Sequence, residues 1–289
     1  MRLDYGFGKD PAVVKNYMKG GALFAEEEGI WVEWESREEL VRAALPPCLD
    51  YVNPNVAVYV IRIGGGTVGP AFMEAAIMLT GSFQGKVGMY APYMLLYGPG
   101  AEPALSMGRE IYGISKKYAD DIRVSRIGDQ AFATVVRGGR VVFDGEFRLN
   151  TEYNDPEAGM AFFGMPKAGD SNDGSAFFFT YDAHQGEDRD IVFDAVHLND
   201  TVSTTRYTQD WIPGAVERID MEESANDPWS SLEVGRFIGC GYAHQELHMI
   251  EQIRHRNVGD PVANMAKLMT GKFDLAAFGG ATRFLNAEF

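Results

Sequence analysis

Cysteine is nearly absent from this chain: Cys48 and Cys240 are the only two in 289 residues. That excludes a disulfide framework and any metal-type cysteine spacing, so a reducing, cytoplasmic setting is expected. Positive charge is also scarce. Twenty-six Lys and Arg against 41 Asp and Glu leave a formal net charge of -15, and no basic patch is available for nucleic acid or an anionic membrane. No apolar run approaches the roughly 18 to 20 residues that span a bilayer, and the start, "MRLDYGFGKDPAVVKNYM", lacks a basic segment followed by an apolar one. With five histidines, no G-x-S-x-G elbow and no P-loop, a serine or cysteine hydrolase has little support.

What is present is apolar and strand-like. A hydrophobic content of 46% is ample for a packed core. "IWVEWES" alternates like a half-buried strand, and Ser36 with Glu39 has the spacing of a capping box for the helix "REELVRAAL", which Pro46 and Pro47 end. "NVAVYVIRI", "AFMEAAIML" and "KVGMYAPYMLLY" read as neighbouring strands, and "DIRVSRIG", "QAFATVVRG" and "RVVFDGEFRLN" follow at meander spacing, with "GD" and "GG" at the turns. The turn-rich segment from Asn154 to Gly174 reads as a long loop, and the second half of "SSLEVGRFIGCGYAHQELHMIEQIRHR" has helical spacing. No boundary divides the chain, so residues 1–289 are read as one domain.

Two motifs invite functional readings and fail on detail. Gly64, Gly66 and Gly69 satisfy G-x-G-x-x-G after a strand. Pro70 sits where the helix should be running, and no acidic residue stands about 20 positions beyond the first glycine to hold a ribose, so a plain glycine turn is the better reading. "HQELH" places His244 and His248 four residues apart. The catalytic glutamate of a zinc protease would occupy the place of Gln245, which leaves an ordinary amphipathic helix as the expectation.

The most unusual feature is Lys116 beside Lys117, next to an apolar run. An isolated Lys-Lys pair is usually a solvated surface feature. If the pair is buried, desolvation and the neighbouring ammonium both disfavour charge, and together they lower a lysine pKa from about 10.4 by several units. A neutral amine of that kind attacks carbonyl carbon.

The stretch "EPALSMGREIYGISKKYAD" resembles the signature of the acetoacetate decarboxylase family, in which a Glu-Pro-Ala turn and a Gly-Arg-Glu element precede adjacent lysines. "REELVRAALPPCL", "FMEAAIML", "GKVGMYAPYMLLYGPG" and "ESANDPWSSLEVGRFIG" follow the same order of elements, so the resemblance spans most of the chain. It implies an α+β fold, a mostly antiparallel closed β-barrel or cone with peripheral helices. It also implies that Lys116 forms the Schiff base, that Lys117 depresses its pKa, and that Glu74 is the acidic active-site residue. An iminium at Lys116 is an electron sink that accepts the electrons of a breaking carbon-carbon bond, with no cofactor.

The resemblance also has departures. The family's arginine falls at Glu27, and Ile114 and Ser115 stand where an aromatic residue and a proline are common. Both weigh against acetoacetate itself. The leading expectation is a Schiff-base-forming lyase acting on a small keto acid or related carbonyl compound. An aldolase-dehydratase using the same lysine, with Tyr242 as candidate proton donor, and a non-catalytic ligand-binding member of the fold are the alternatives. A homo-oligomer is expected by the same resemblance, with the apolar tail from Asp274 to Phe289 offering contacts.

Overall fold

The computed structural model describes residues 10–12 and 19–274. The N-terminal start and the tail beyond Asp274, read above for a leader and for subunit contacts, lie outside the described residues. Among the described residues twelve strands form one large mixed sheet, in the order β1-β2-β3-β4-β9-β10-β12-β11-β8-β7-β6, with β5 beside β4. β1 (Ala22–Glu35) pairs with both β2 (Asp50–Gly66) and β12 (Phe237–His255), so the pairing path returns to its first strand. Neighbouring strands run antiparallel except where β4 (Lys86–Tyr97) meets β5 (Lys116–Tyr118) and β9 (Ser171–Gln185).

Strand alternation gives the sheet two apolar faces. Along β2, Val56, Val58 and Val60 enter one buried cluster, while Ala57, Tyr59, Ile61 and Ile63 enter another. β3 (Gly69–Phe83) divides in the same way, with Ala75, Ile77 and Leu79 on the first face and Phe72, Ala76 and Met78 on the second. The Gly64 to Gly69 motif is the hairpin between these strands: Gly66 pairs with Gly69, whose φ of 146° lies outside ordinary L-residue space. The expected meander is present as β6 (Asp121–Ile127), β7 (Gln130–Arg137) and β8 (Arg140–Leu149), turning at Gly128 and at Gly138–Gly139 with positive φ.

Three local expectations are corrected. The helix α1 (Glu38–Ala44) has Arg37 at its N-cap without a side-chain cap, and the Ser36 hydroxyl has no hydrogen-bond partner. Glu38 and Glu39 in the first turn favour that helix end through its dipole instead. The Asn154–Gly174 segment contains α3 (Pro156–Phe162), capped by Asp155 accepting from Ala158 N, with proline in its first turn, and β9 begins at Ser171. The stretch around "HQELH" is strand, part of the 19-residue β12, because pairing with β1, β10 (Ile191–Tyr207) and β11 (Ile212–Asp220) overrides its helical spacing. No helix among the described residues is long and apolar enough to cross a membrane.

Candidate active site

Lys116 reaches its position through a sharp change of chain direction. The helix α2 (Ala101–Met107) loosens into a π-turn at Gly108–Tyr112, and Gly113, with φ 80°, ends it in the left-handed region. The chain then enters β5 parallel to β4, with Lys116 opposite Met94 and Lys117 opposite Leu95. Met94 belongs to the second apolar cluster and Leu95 to the first. The two lysines therefore leave the strand on opposite faces. Gly108 makes room for the first of them: a Cβ there would stand 2.8 Å from Lys116 Cδ and 3.0 Å from Cε.

On the second face Lys116 enters a cavity of about 200 Å³. Its Nζ donates to Glu74 Oε2 at 2.8 Å, and the side chains are only 3% and 8% exposed. Tyr59 Oη donates to the other oxygen, Glu74 Oε1, at 2.7 Å. Burial, then the Glu74 charge, hold the Tyr59 pKa well above its ordinary 10, so this group stays a hydroxyl. Most of the remaining wall is apolar and sulfur-rich, including Phe24, Trp31, Met78, Met89, Phe178 and Met249. Ser175, Ser203 and Thr205 of β9 and β10 form a partly exposed polar margin.

A second carboxyl shares this cavity. Glu26, at φ 53°, interrupts the register of β1 between Phe24 and Glu27, so both of those residues face the same side despite their odd separation. Glu27 is 3% exposed, and its Oε2 accepts from Gln245 Nε2 at 2.9 Å. Burial raises its pKa from 4.5 to about 8; the Gln245 bond opposes that rise, Glu74 adds to it, and Lys116 opposes it. Glu27 is therefore mostly a neutral acid near pH 7, beside the Lys116–Glu74 ion pair. No arginine is among the described residues lining the cavity.

The structure does not bring Lys117 or Tyr242 into this group. The Lys117 ammonium donates to Asn226 O at 2.8 Å and pairs with Asp227 at 3.3 Å and Asp274 at 3.2 Å. Arg137 binds the same two carboxylates. Burial lowers the Lys117 pKa, with Asp227 opposing and Arg137 adding to that effect. Tyr242 lies on the other face of β12 from Gln245, Leu247 and Met249, and its Oη donates to Glu28 Oε1 at 2.9 Å. His248 Nε2 donates to Gly20 O, and no group of three His, Cys, Asp or Glu side chains among the described residues is placed to hold a metal.

Tyr59 and Gln245 were missed by sequence reasoning. A phenol inside the apolar run "NVAVYVIRI" was the available signal for Tyr59. Gln245 had none, because the stretch holding it read as helix.

The family model for acetoacetate decarboxylase (ADC) matches residues 10–256. The chain is 30% identical over 266 residues to a "CLA biosynthesis isomerase" of Lactiplantibacillus plantarum, covering 92% of this chain and 93% of that protein. Among solved structures it resembles acetoacetate decarboxylase from Legionella pneumophila, with TM-score 0.67, 17% identity, and 88% and 98% of the two chains covered. It also resembles the enduracididine biosynthesis enzyme MppR, solved with the condensation product of pyruvate and imidazole 4-carboxaldehyde, at TM-score 0.64, 13% identity, and coverage of 87% and 96%.

Proposed function

Because the chain belongs to the acetoacetate decarboxylase family, we propose that it is a cofactor-independent enzyme in which Lys116 forms an imine with an apolar carbonyl compound, and that the bond then broken beside the imine is C–H. The observation that carries this reading is the buried Lys116–Glu74 pair in an apolar cavity that also holds the Glu27 carboxyl.

The steps balance without an external oxidant or reductant. Glu74 takes a proton from the Lys116 ammonium, and the free amine adds to the carbonyl carbon. The carbinolamine loses water as Glu74 returns the proton, leaving an iminium beside the Glu74 carboxylate. Glu74 then removes a proton from the α-carbon, and the C–H electrons flow into the C=N bond as an enamine. Where a C=C bond lies next to that carbon, the product is a dienamine. Reprotonation at its far end moves the double bond into conjugation, and water releases the rearranged ketone with the Lys116 ammonium restored. The Lactiplantibacillus plantarum relative, named an isomerase, supports this direction.

Decarboxylation of a small keto acid is the second reading, favoured by the family's name. The charge of the cavity weighs against it. Lys116 and Glu74 already neutralise each other, and Glu27 occupies the neighbouring wall, so a substrate carboxylate would be buried without a cation to pair it, at a cost of several kcal/mol. The test uses allyl methyl ketone and acetoacetate on one preparation. Expected results are a borohydride-reduced adduct on Lys116, deuterium uptake at the α-carbon in heavy water, and a growing ultraviolet absorbance of the conjugated enone. An adduct on other lysines, or none, would overturn the imine. Carbon dioxide release from acetoacetate outpacing α-proton exchange would restore decarboxylation.

A further inference from the structure

We infer that Glu27 is a second catalytic acid, delivering a proton to the carbon at the far end of the substrate's double bond while Glu74 serves the carbon next to the imine. The inference rests on the imine reading above and assigns the step that reading leaves without a donor.

Three observations support it. First, the two carboxyls enter the cavity from different strands. Glu74 of β3 stands opposite Ile61 of β2, which stands opposite Gly29 of β1, and Glu27 lies two residues further along β1. Two strand spacings of about 4.8 Å and two residues of about 3.4 Å set the Cα atoms roughly 12 Å apart. A substrate bound covalently at Lys116 and lying across this face therefore meets Glu74 first and Glu27 further from the imine.

Second, their hydrogen bonding differs. Both Glu74 oxygens are engaged, by Lys116 and by Tyr59. Glu27, which lines the cavity, is held at Oε2 by the uncharged Gln245 amide, whereas Glu74 is tied to an ammonium. Gln245 fixes the rotamer without neutralising the group. Third, burial keeps Glu27 protonated at neutral pH. Of the groups that face it, the Gln245 bond from β12 opposes this, Glu74 from β3 adds to it, Lys116 from β5, already paired with Glu74, opposes it, and Tyr59 from β2 is uncharged.

The cycle closes. Glu74 gains the α-proton as the dienamine forms, and Glu27 gives its proton to the terminal carbon, producing the conjugated iminium and a Glu27 carboxylate. One proton then passes from Glu74 to Glu27, restoring both. Water adds to the iminium and releases the conjugated ketone and the Lys116 ammonium. Atoms balance as isomerisation alone.

The experiment compares wild type, Glu27→Gln and Glu27→Asp with allyl methyl ketone in heavy water, following three signals: borohydride-trapped imine on Lys116, deuterium at the α-carbon, and conjugated enone. Glu27→Gln should keep trapping and α-exchange within about threefold while enone formation falls about 100-fold or more. Glu27→Asp should recover part of that loss. In the wild type, enone formation should decline above pH about 8, where Glu27 loses its proton, and Glu27→Gln should lack this limb. Enone formation in Glu27→Gln close to wild type overturns the inference and leaves the imine reading standing. Parallel loss of all three signals in Glu27→Gln and Glu27→Asp also overturns it, by showing that Glu27 only supports the site. A wild type that neither traps nor exchanges overturns the imine reading itself.

Discussion

Replacing Lys117 by methionine separates two explanations for adjacent lysines. If Lys117 acts on Lys116 by charge, its removal raises the pKa of the Lys116 amine and moves the rising limb of imine formation to higher pH. The structure supports a different outcome. The Lys117 ammonium sits on the opposite face of β5, among Asp227, Asp274, Arg137 and the Asn226 carbonyl. Lys117→Met removes a donor from Asn226 O and one of two cations from Asp227, whose side chain is 1% exposed. Hydrogen bonds to charged groups are worth roughly 1.5 to 3 kcal/mol each. Part of that loss is returned, because Asp227 keeps Arg137, Asp274 is half exposed, and methionine buries well where an ammonium was costly to desolvate.

A net destabilisation of about 2 kcal/mol follows, which for a chain of this size lowers Tm by roughly 4 to 8 °C. Thermal unfolding gives that number, and borohydride trapping of a ketone on Lys116 across pH gives the limb. The expected result is a lowered Tm with the limb in place. An unchanged Tm together with a limb displaced to higher pH would refute the reasoning and reinstate the neighbouring charge.

Two further outcomes follow from the cavity. Glu27, held near pKa 8 in the fold against an ordinary 4.5, binds a proton more tightly folded than unfolded. Its contribution to stability is complete below pH 4.5 and is lost as pH rises through about 8, a swing of roughly 5 kcal/mol at about 1.4 kcal/mol per pKa unit. Glu27→Gln should therefore be no more stable than wild type near pH 4.5 and clearly more stable near pH 9 by urea unfolding; equal stability at both would show that Glu27 is not desolvated. Gly108→Ala places a methyl 2.8 Å from Lys116 Cδ at a helical φ of -59° that alanine accepts, so the fold should persist while imine formation falls at least 10-fold, and normal trapping would remove Gly108 from the account.

Much of the sheet was legible because its period is strong and local. β2, β3 and the β6–β8 meander declare themselves through β-branched runs and glycine turns. β12 did not, since spacings of i and i+4 fall on one face of a helix and also on one face of a strand, and only pairing with β1, β10 and β11 decides between them. The "NDPEAGMAFF" stretch carried a capping aspartate and a proline at the right spacing for α3, but its turn-forming composition dominated the reading. Ser36 and Glu39 fit the capping pattern by sequence and lack its hydrogen bond, because the helix starts one residue later than the pattern requires. At the site, the family resemblance located Lys116 and Glu74, which the fold places 2.8 Å apart. It marked Glu27 as a missing cation. That Glu27 faces the cavity depends on the single left-handed residue Glu26, which local propensity does not predict for glutamate.

The lysine pair makes the same point about parity. Side chains alternate along a strand, so two adjacent lysines on β5 cannot both enter one cavity, and which of them meets Glu74 depends on the register with β4. That register is set locally. Gly113 turns the chain at φ 80°, its carbonyl accepts from Phe179 N and from Lys272 Nζ, and Met94 N donates to Ser115 O immediately before the strand. A slip of one residue would exchange the faces, presenting Lys117 to Glu74 and driving Lys116 toward Asp227, with each ammonium still offered a carboxylate. Charge pairing alone therefore does not choose between the two arrangements. The choice lies with the backbone: the room at Gly108 accepts one lysine stem, and the carbonyl of Gly113 is tied to β9 and α4 (Pro261–Lys272). Which lysine meets Glu74 is thus written in glycines and main-chain hydrogen bonds before the pair.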